Sequence, residues 1–432
     1  MTARVNTEYT HYLAAPWGWM FVAGVALTPA APLLRTGVSS VLYYLLCLAS
    51  LITLATGERM QRLRSEGELH YWRRFAGAGL TFIALILAAH VIQWEWPGAG
   101  FEKTVRFVLA VPLVLALRYV APQQLRVAQW GFIITVLVMS LLLIFPPATF
   151  GTRPHTVEYS WFNTVEFGNL ACLYMALTLY ACGWPTTRFR RLELTVKLLV
   201  AGVAFHGMIL SQTRTAWLAL PWLVLLGIIL LWRRRHWLRW LVLAGVVVGL
   251  GLLLALSEGL QQRFALAHAE YRVCVDQPHT DSSICNRVQL ANAAWNLFLR
   301  APVAGVGAGD AYREALHEQS RLGVISEHVA EHYGEPHNDY LYYLSAFGML
   351  GLAGALLFLY VVPAVYLARG LFASPQETIW VACAMGLGLC GAFAAFGLTE
   401  MMFRGMRTAS LYAILLSYFM ALGAPPRPLR AA

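Results

Sequence analysis

Charged residues are scarce in this chain. They make up 12% of its 432 residues, while hydrophobic residues make up 59%. A soluble protein of this length would alternate apolar and polar residues, but here apolar runs of about 18–22 residues recur between short basic breaks. The shortage of charge therefore excludes an ordinary soluble fold and indicates an all-α polytopic membrane protein.

Lysine is rarer still, with Lys103 and Lys197 as its only two examples among 32 basic residues. The others are arginines, whose planar guanidinium binds a phosphate through two parallel hydrogen bonds where lysine offers a point charge. Most of the arginines cluster beside apolar runs, where positive charge orients spans against anionic lipid. The net charge of +10 therefore does not indicate a nucleic-acid partner.

The apolar runs are long enough to cross a bilayer as helices, which satisfy their own backbone hydrogen bonds in lipid. The first run is interrupted by Pro16, Pro29 and Pro32, and it is the least regular. We predict about twelve spans, near 14–34, 38–56, 75–96, 104–121, 127–147, 166–184, 192–211, 215–232, 239–257, 341–367, 377–399 and 408–424.

The arginine clusters predict the orientation of the spans. With the N-terminus in the cytoplasm, the clusters at 59–74, 188–191 and 233–239 all lie on the cytoplasmic side, as the positive-inside rule requires. Both termini are then cytoplasmic. The first apolar run has neither a basic lead nor a clean small-residue cleavage site, so no cleavable signal peptide is predicted.

Residues 259–340 form the one long polar stretch and hold half of the twelve histidines. The topology makes this insert a periplasmic loop domain, between spans one to nine (1–258) and spans ten to twelve with a cytoplasmic tail (341–432). We expect the chemistry of the protein there, at the outer face of the membrane. Cys274 and Cys285 fall in the insert, outside the reducing cytosol, so we predict a disulfide between them.

A polar run from Ser211 to Thr215 separates two apolar helices at the predicted outer face, and Arg214 is its only charge. A charge at that depth is costly without a partner or an anionic ligand, so a functional arginine is the first interpretation. An arginine that extends its side chain to lipid headgroups is the alternative. Ser211 is a secondary candidate in the same run.

The insert contains an amphipathic helix that begins near Arg287. Apolar residues at 288, 291, 295 and 298 have the spacing of one helix face, lying on the bundle or in the membrane interface. An arginine at a helix start adds charge to the positive helix end, which is unfavourable unless an anion lies nearby. Arg287 is therefore a candidate anion ligand, with Trp295 as a secondary candidate.

Gly305, Gly307 and Gly309 stand at alternate positions after Pro302. Glycine lets backbone amides approach a phosphate closely, which makes Gly307 a secondary candidate. A nucleotide fingerprint would need a preceding strand in a βαβ unit, and none is visible. The more common explanation is a turn into a helix that is capped by Asp310 and closed by Gly323.

The loop before span ten carries Glu335, Pro336, His337, Asn338 and Asp339 in succession. An imidazole set by a proline and flanked by polar neighbours can have one ring nitrogen oriented and the other free, as a general base requires. His337 is therefore the candidate base, with Asn338 as a secondary candidate. A lone histidine in a loop is more often a bystander, and it is the neighbouring residues that single this one out.

His328 and His332 offer a competing interpretation as metal ligands, beside Glu327 and Glu331. Their order is not His-Glu-x-x-His, and no third ligand is evident, so no metal is predicted. Other polar residues lie singly in or beside the spans. Those near the outer face are placed to line a cavity, whereas two histidines fit core positions: Glu166, Glu400, Arg404 and Arg407 in the first group, His90 and His206 in the second.

The order of these motifs resembles the O-antigen ligase family, within the wider superfamily of O-antigen polymerases and ligases. The shared features are the twelve-span topology with its outward insert, Ser-x-x-Arg ending at Arg214, Arg287 and Trp295 ahead of the glycine run, and Pro336-His337-Asn338 before span ten. The likeness covers roughly 190–400 in motif detail and the other spans in topology alone. Members commonly carry a small residue before the histidine, where this chain has Glu335-Pro336.

The resemblance implies transfer of an O-antigen glycan from undecaprenyl pyrophosphate to a sugar hydroxyl of lipid A–core. The reaction would take place at the periplasmic face of the bacterial inner membrane and complete lipopolysaccharide. It also implies an inverting enzyme of lipid-linked-sugar glycosyltransferase (GT-C-like) architecture that works without a metal or other cofactor. On the matching positions, Arg214 and Arg287 would bind the pyrophosphate, and His337 would act as the base or orient the acceptor.

Two alternatives stay open on the residues alone. An O-antigen polymerase or a protein-glycosylating oligosaccharyltransferase would share the donor and the pyrophosphate chemistry. A transporter of lipid-linked glycan belongs to another class, which usually shows inverted repeats and broken mid-membrane helices. No such repeat is visible, and the polar residues gather at one face.

Overall fold

A computed structural model describes residues 13–35, 37–55, 68–95, 98–145, 164–211, 213–234 and 258–424, and no strand occurs in these ranges. The regular elements in them are helices. In chain order these are α1 (Ala15–Leu27), α2 (Ala31–Leu34), α3 (Val38–Ala55), α4 (Glu68–Gln93), α5 (Ala99–Val108), α6 (Ala110–Leu117), α7 (Pro122–Leu125), α8 (Gln129–Ile144), α9 (Thr164–Tyr180), α10 (Arg190–Ser211), α11 (Arg214–Arg234), α12 (Glu258–Asp276), α13 (Ser283–Arg300), α14 (Asp310–Arg321), α15 (Glu327–His332), α16 (Asp339–Ala355), α17 (Val362–Ala373), α18 (Glu377–Phe396) and α19 (Met406–Gly423).

Within the described ranges, nine helices are long and apolar enough to cross a membrane. They correspond to nine of the twelve predicted spans, so the all-α membrane fold is confirmed and the count of twelve is not. The predicted first span contains a shorter apolar helix, Pro16–Leu27, and the predicted fourth consists of α5 and α6. The predicted span at 239–257 lies outside the described residues.

Proline explains why two predicted spans are not continuous helices. Pro112 has no N–H to donate to the carbonyl of Val108, and α5 ends at that residue. Leu109 then separates α5 from α6. In the same way α1 ends ahead of Pro29, and Pro32 lies in the first turn of the short α2.

The centre of the bundle is formed by three helices whose apolar windows are mostly buried. The buried share is 83% in Val165–Gly183 and in Glu377–Phe396, and 89% in Met406–Gly423. The span Arg190–Ser211 is 39% buried and exposes leucines such as Leu192 and Leu199. Because lipid is as apolar as leucine, such faces need no protein partner in a membrane.

The insert helices pack on the bundle through a face other than the predicted one. The predicted helix at Arg287 exists as α13, but its buried apolar side chains include Leu290, Ala293, Ala294 and Leu297. Val288 and Trp295, on the predicted face, are exposed. The prediction that this face packs on the bundle is therefore wrong. The alternative, that the face lies in the membrane interface, stays a prediction.

Cys274 and Cys285 lie side by side on α12 and α13, with both side chains buried. Burial, followed by the neighbouring Cys285 thiol, raises the pKa of Cys274 to about 11. The structure holds both as free thiols, so the predicted disulfide is not formed in it. The contact between the two thiols keeps the pairing as a prediction.

Candidate active site

The loop that joins α15 to α16 holds His337 in a fixed orientation. His337 adopts a left-handed φ of 49°, which is uncommon for a residue with a side chain. The next residue, Asn338, accepts a hydrogen bond from Leu341 N at 2.9 Å and so caps α16. Its Nδ2 also donates to Leu398 O at 2.8 Å. The cap and the fixed φ of Pro336 restrict the backbone on both sides of His337.

A buried carboxylate orients the imidazole. Nδ1 of His337 lies 3.0 Å from Oε1 of Glu400, whose side chain is 4% exposed. Among the described residues no hydrogen-bond partner of Nε2 is found. A carboxylate on one ring nitrogen fixes the tautomer and leaves the other as a base. The ring of Tyr333 also meets the imidazole edge to face, with centroids 5.4 Å apart.

Asp339 fastens this loop to the segment 397–405 between α18 and α19. Its carboxylate accepts hydrogen bonds from Met402 N at 3.1 Å and from Phe403 N at 3.2 Å, and its own N–H donates to Gly397 O at 2.8 Å. Since Glu400 belongs to the same segment, these bonds hold its carboxylate close to the imidazole of His337.

Charged side chains of both signs surround the pair. Glu335 forms an ion pair with Arg404, with Oε1 2.7 Å from Nε. Burial raises the pKa of Glu335, against the lowering influence of Arg404 and of His337. Glu166, from the first turn of α9, interacts electrostatically with Arg407 as well as with Arg404 and Glu400. The four charged residues expected at the outer face therefore lie in one cluster beside His337.

Arg214 is exposed at the start of α11, on the side of the bundle that carries this cluster. The adjacent Thr215 donates a hydrogen bond to the side-chain oxygen of Asn169, and Asn169 Nδ2 lies 3.7 Å from the sulfur of Met402. Met402 belongs to the segment that carries Glu400. Two hydrogen-bonded contacts thus connect the neighbour of Arg214 to the segment that orients His337.

Arg287 lies half-buried in the second turn of α13, which begins at Ser283, four residues before the predicted start. Its Nη1 donates to Ser283 Oγ at 2.7 Å, whereas its Nε is buried with no hydrogen-bond partner among the described residues. The adjacent Asn286 donates to the hydroxyl of Tyr333 at 3.3 Å, and Tyr333 contacts His337. A buried guanidinium N–H without an acceptor is costly, and an anion would satisfy it.

The secondary candidates have structural partners. Ser211 Oγ donates to Met208 O at 2.7 Å, so this buried hydroxyl closes α10. The N–H of Gly307 donates to Ala346 O at 3.0 Å, and a Cβ at Gly307 would lie 2.7 Å from the carboxylate of Glu95. A bonded amide beside a carboxylate does not suit a phosphate. Trp295 is exposed and packs on Phe298.

The turn interpretation of the glycine run holds in outline. Gly309 is the N-cap residue of α14, and Asp310 is its first residue rather than its side-chain cap. Gly323 follows the last turn with a φ of +73°, and it closes the helix through a bond from its N–H to Ser320 O. The predicted cap at Asp310 is therefore wrong by one residue, because the N-cap position is held by Gly309.

The remaining histidines divide by exposure. The rings of His328 and His332 stack 4.2 Å apart, and His328 Nε2 faces Asp281 at 3.4 Å. Within the described ranges no group of three or more metal-ligating side chains forms. His90 is buried against Phe347, as expected, although neither ring nitrogen has a described partner. His206 is exposed on α10, so its core placement is wrong.

Sequence reasoning missed Lys103, which joins the charged cluster from α5. It interacts electrostatically with Asp339 and with Glu335, and its Nζ lies 5.8 Å from the ring centre of Tyr342. The available signal was its rarity, because a chain that otherwise uses arginine places one of its two lysines here. The other, Lys197, is buried away from this site and bonded to Glu193, Gln129 and two carbonyls.

The fold and the site together define a multi-pass membrane protein with a histidine–carboxylate pair outside its long spans and two candidate anion-binding arginines, Arg214 at the start of a span and Arg287 in the insert. The family model described as O-Antigen ligase matches residues 199–356, a segment that contains Arg214, Arg287 and His337. The match over this segment supports the predicted membership of the O-antigen ligase family. A match to this family implies, in general, a membrane enzyme of glycosyl transfer. The comparison with curated proteins returns no match.

Proposed function

We propose that this protein is an O-antigen ligase, transferring a glycan from undecaprenyl pyrophosphate to a sugar hydroxyl of lipid A–core. The observation that carries the proposal is the pair formed by His337 and Glu400, with Nε2 of the imidazole left open. We place the site at the periplasmic face of a bacterial inner membrane, in a GT-C-like architecture of about twelve spans.

In the reaction, the acceptor hydroxyl attacks the anomeric carbon of the donor while its proton passes to Nε2 of His337. The bond from that carbon to the pyrophosphate oxygen breaks, and undecaprenyl pyrophosphate leaves with the bonding electrons. Direct displacement inverts the anomeric carbon. General base catalysis of this kind contributes about 10²–10⁴-fold, and the carboxylate of Glu400 stabilises the imidazolium that forms.

Arg214 and Arg287 bind the pyrophosphate in this proposal. Negative charge grows on the leaving phosphate as the bond breaks, and positioned guanidinium groups stabilise it. The unpartnered Nε of Arg287 supports this role, because it is a buried donor that awaits an acceptor. Arg214, at the start of α11, stands where the positive end of a long helix adds to its own charge.

An apolar cavity along α11 suits the isoprenoid tail of the donor. It has a volume of about 320 Å³ and lies between α9, α10, α11 and α18, with side chains from Leu220 to Leu231 on the α11 wall. Leu220 follows Arg214 by about 9 Å of helix. A donor whose pyrophosphate meets Arg214 can therefore lay its tail along the same helix.

The proposal is tested by reconstitution with purified lipid-linked glycan in liposomes, in three parallel reactions. These contain lipid A–core, a second lipid-linked glycan, or an acceptor protein. We expect glycan on lipid A–core, and its loss in His337→Ala. Chain elongation of the lipid-linked glycan in place of this product would make the protein a polymerase, and glycosylated protein would make it an oligosaccharyltransferase. Appearance of the lipid-linked glycan in the opposite leaflet without any transfer would indicate a transporter.

A further inference from the structure

A second cavity lies at the other end of the bundle, away from His337. Its volume is about 760 Å³, and α4, α17, α18 and α19 form its walls. The helices that run from the active site fix its position. The helical segment from Asp339 is broken by a kink at Gly348 and ends at Ala373, and the 25 residues after Gly348 alone rise by about 38 Å. The cavity is therefore a separate site, and its rim at Ala373 and Ser374 lies about one membrane thickness from Gly348.

Packing of α4 against the same segment gives the same placement. His90, near the end of α4, meets Phe347, whereas Phe75, near its beginning, stacks on Phe358 with ring centroids 4.8 Å apart. The two helices are thus antiparallel, and Arg74 in the first turns of α4 lies beside the end of α17.

The lining of the cavity is amphiphilic. Arg74 and Arg369 are its only charged residues, both are exposed, and no carboxylate lies among the described lining residues. Ser374 and Gln376 belong to the same polar rim. The deeper wall is apolar and includes Val361, Val365, Ile379 and Met420. A ligand that matches these surfaces carries a negative head and a long apolar chain.

Arg233 adds to the positive character of the rim. The last carbonyls around α17 are occupied by Arg233, which donates to Leu371 O and, at 2.9 Å, to Ser374 O. Gln376 is the N-cap residue of α18, and no side chain caps the first amides of that 20-residue helix. The carbonyls of Leu371 and Ser374 therefore meet a guanidinium, whereas Glu377, the first residue of α18, places a carboxylate at the positive end of that helix.

The deep wall of the cavity follows a deformation of the helix. Pro363 cannot donate to Leu359 O, and the hydroxyl of Tyr412 donates to that carbonyl instead. The helix widens to a π turn over Leu356–Val361, and Val361 is the first wall residue on this helix. Widened turns of this kind often occur at functional sites.

We propose that this cavity binds an anionic glycerophospholipid of the surrounding bilayer, with the phosphodiester beside Arg74 and Arg369 and an acyl chain along the apolar wall. From Ala373 to Val361 the wall extends about 18 Å along the helix, which is close to half the thickness of a bilayer with its headgroups, about 40–45 Å. A soluble phosphate would leave that wall unoccupied. The bound lipid joins α4, α17 and α18, and the inference does not rest on the glycosyl-transfer proposal.

The test is native mass spectrometry of the full chain, released from detergent and titrated with phosphatidylglycerol or with phosphatidylcholine. We expect one phosphatidylglycerol per chain with at least about tenfold preference over phosphatidylcholine, as two charge-assisted phosphate contacts provide. The double variant Arg74→Gln/Arg369→Gln is expected to lose the preference. Arg190→Gln/Arg191→Gln, which removes two exposed arginines outside the cavity, should keep it.

A second variant separates the tail from the head. Val365→Trp fills the apolar wall while both arginines remain, and it should weaken phosphatidylglycerol binding at least tenfold. Inorganic phosphate at millimolar concentration serves as the competing probe, and it should not displace the lipid. Equal binding of the two lipids to the wild type, a preference that survives in Arg74→Gln/Arg369→Gln, or full displacement by phosphate would each overturn the proposal.

Discussion

Glu400 and His337 are 63 positions apart in the chain, yet their side chains meet at 3.0 Å. The pairing depends on two other contacts between the same segments, the bonds from Asp339 to the amides of Met402 and Phe403. Because Glu400 is buried, its carboxylate has little water to compete for the imidazole. The pair is thus built by the packing of α16 beside α18 and α19.

The first prediction concerns this pair. Glu400→Gln keeps a hydrogen-bond acceptor for the imidazole but loses the negative charge, and Glu400→Leu loses both. The kcat for transfer should therefore be highest in the wild type, lower in Glu400→Gln and lowest in Glu400→Leu. We expect His337→Ala to lose about 10²–10⁴-fold. KM for the donor should change little in all three, because the pair acts on the acceptor proton. Glu331→Gln, an exposed glutamate on α15, is the matched control. Full activity in Glu400→Leu would remove Glu400 from the mechanism.

The second prediction concerns the arginines. Arg287→Lys keeps the charge but loses the planar pair of donors, so kcat/KM for the lipid-linked donor should fall about 10²-fold, as for loss of one oxyanion donor. Arg214→Lys should behave similarly. Arg321→Lys, exposed at the end of α14, serves as the control in the same assay. Wild-type kinetics in Arg287→Lys would contradict bidentate phosphate binding at that residue.

The third prediction tests the cavity along α11. A Cβ at Gly227 would have only Tyr180 nearby, at 3.6 Å, so Gly227→Phe places its ring in the cavity. KM should rise for a donor with a full isoprenoid tail and remain unchanged for a short-chain donor. Gly202→Phe, where a Cβ meets nothing within 4 Å on the exposed side of α10, is the control. Equal effects on the long and short donors would show that the tail lies elsewhere.

The fourth prediction concerns the two cysteines of the insert. If the insert faces an oxidising compartment, Cys274 and Cys285 should resist alkylation in non-reduced protein and react after reduction and denaturation. Their loop is short, so the bond should add up to about 3 kcal/mol to the free energy of unfolding. Cys274→Ser/Cys285→Ser should then match the reduced wild type in thermal stability. Free thiols at both positions after preparation without reductant would argue against a periplasmic insert.

The fifth prediction follows from the raised pKa of Glu335. A carboxyl with a folded-state pKa above its unfolded value binds its proton more tightly in the folded protein, so its contribution to stability is present at low pH and is lost as pH rises through the folded pKa. The melting temperature of the wild type relative to Glu335→Gln should therefore fall as pH rises above about 4, the ordinary pKa of a glutamate. A difference that grows with pH would mean that the ion pair with Arg404 dominates.

Apolar length was enough to predict most spans, because lipid requires a continuous helix of about twenty residues. It failed at α5 and α6, where Pro112 interrupts the hydrogen bonding of a run that is apolar throughout. The face of α13 was also mispredicted. That helix carries apolar residues on two sides, and periodicity alone does not say that Leu290, Ala293 and Leu297 would be the buried ones.

The candidate site was predictable in its components and not in its pairing. His337 stood out because an imidazole between polar neighbours in a loop can act as a base. Arg287 stood out because an arginine near a helix start is electrostatically unfavourable without an anion. Glu400 was expected near the outer face, but its contact with His337 depends on how α16 and α18 pack, which periodicity does not encode. The role of Lys103 needed the same packing to become visible.

Gly305 and Gly348 meet where the insert chain crosses the broken helix α16. A Cβ on Gly348 would stand 2.2 Å from Val303 O, and one on Gly305 2.3 Å from the carbonyl carbon of Ala346. The two backbones exchange hydrogen bonds around this crossing, from Val306 N to Ser345 O and from Met349 N to Pro302 O. The insert and α16, the helix that follows His337, are therefore packed together through their backbones. We expect that neither can be exchanged for the corresponding segment of a homologue without the other. Chimaeras cut between them would be expected to misassemble.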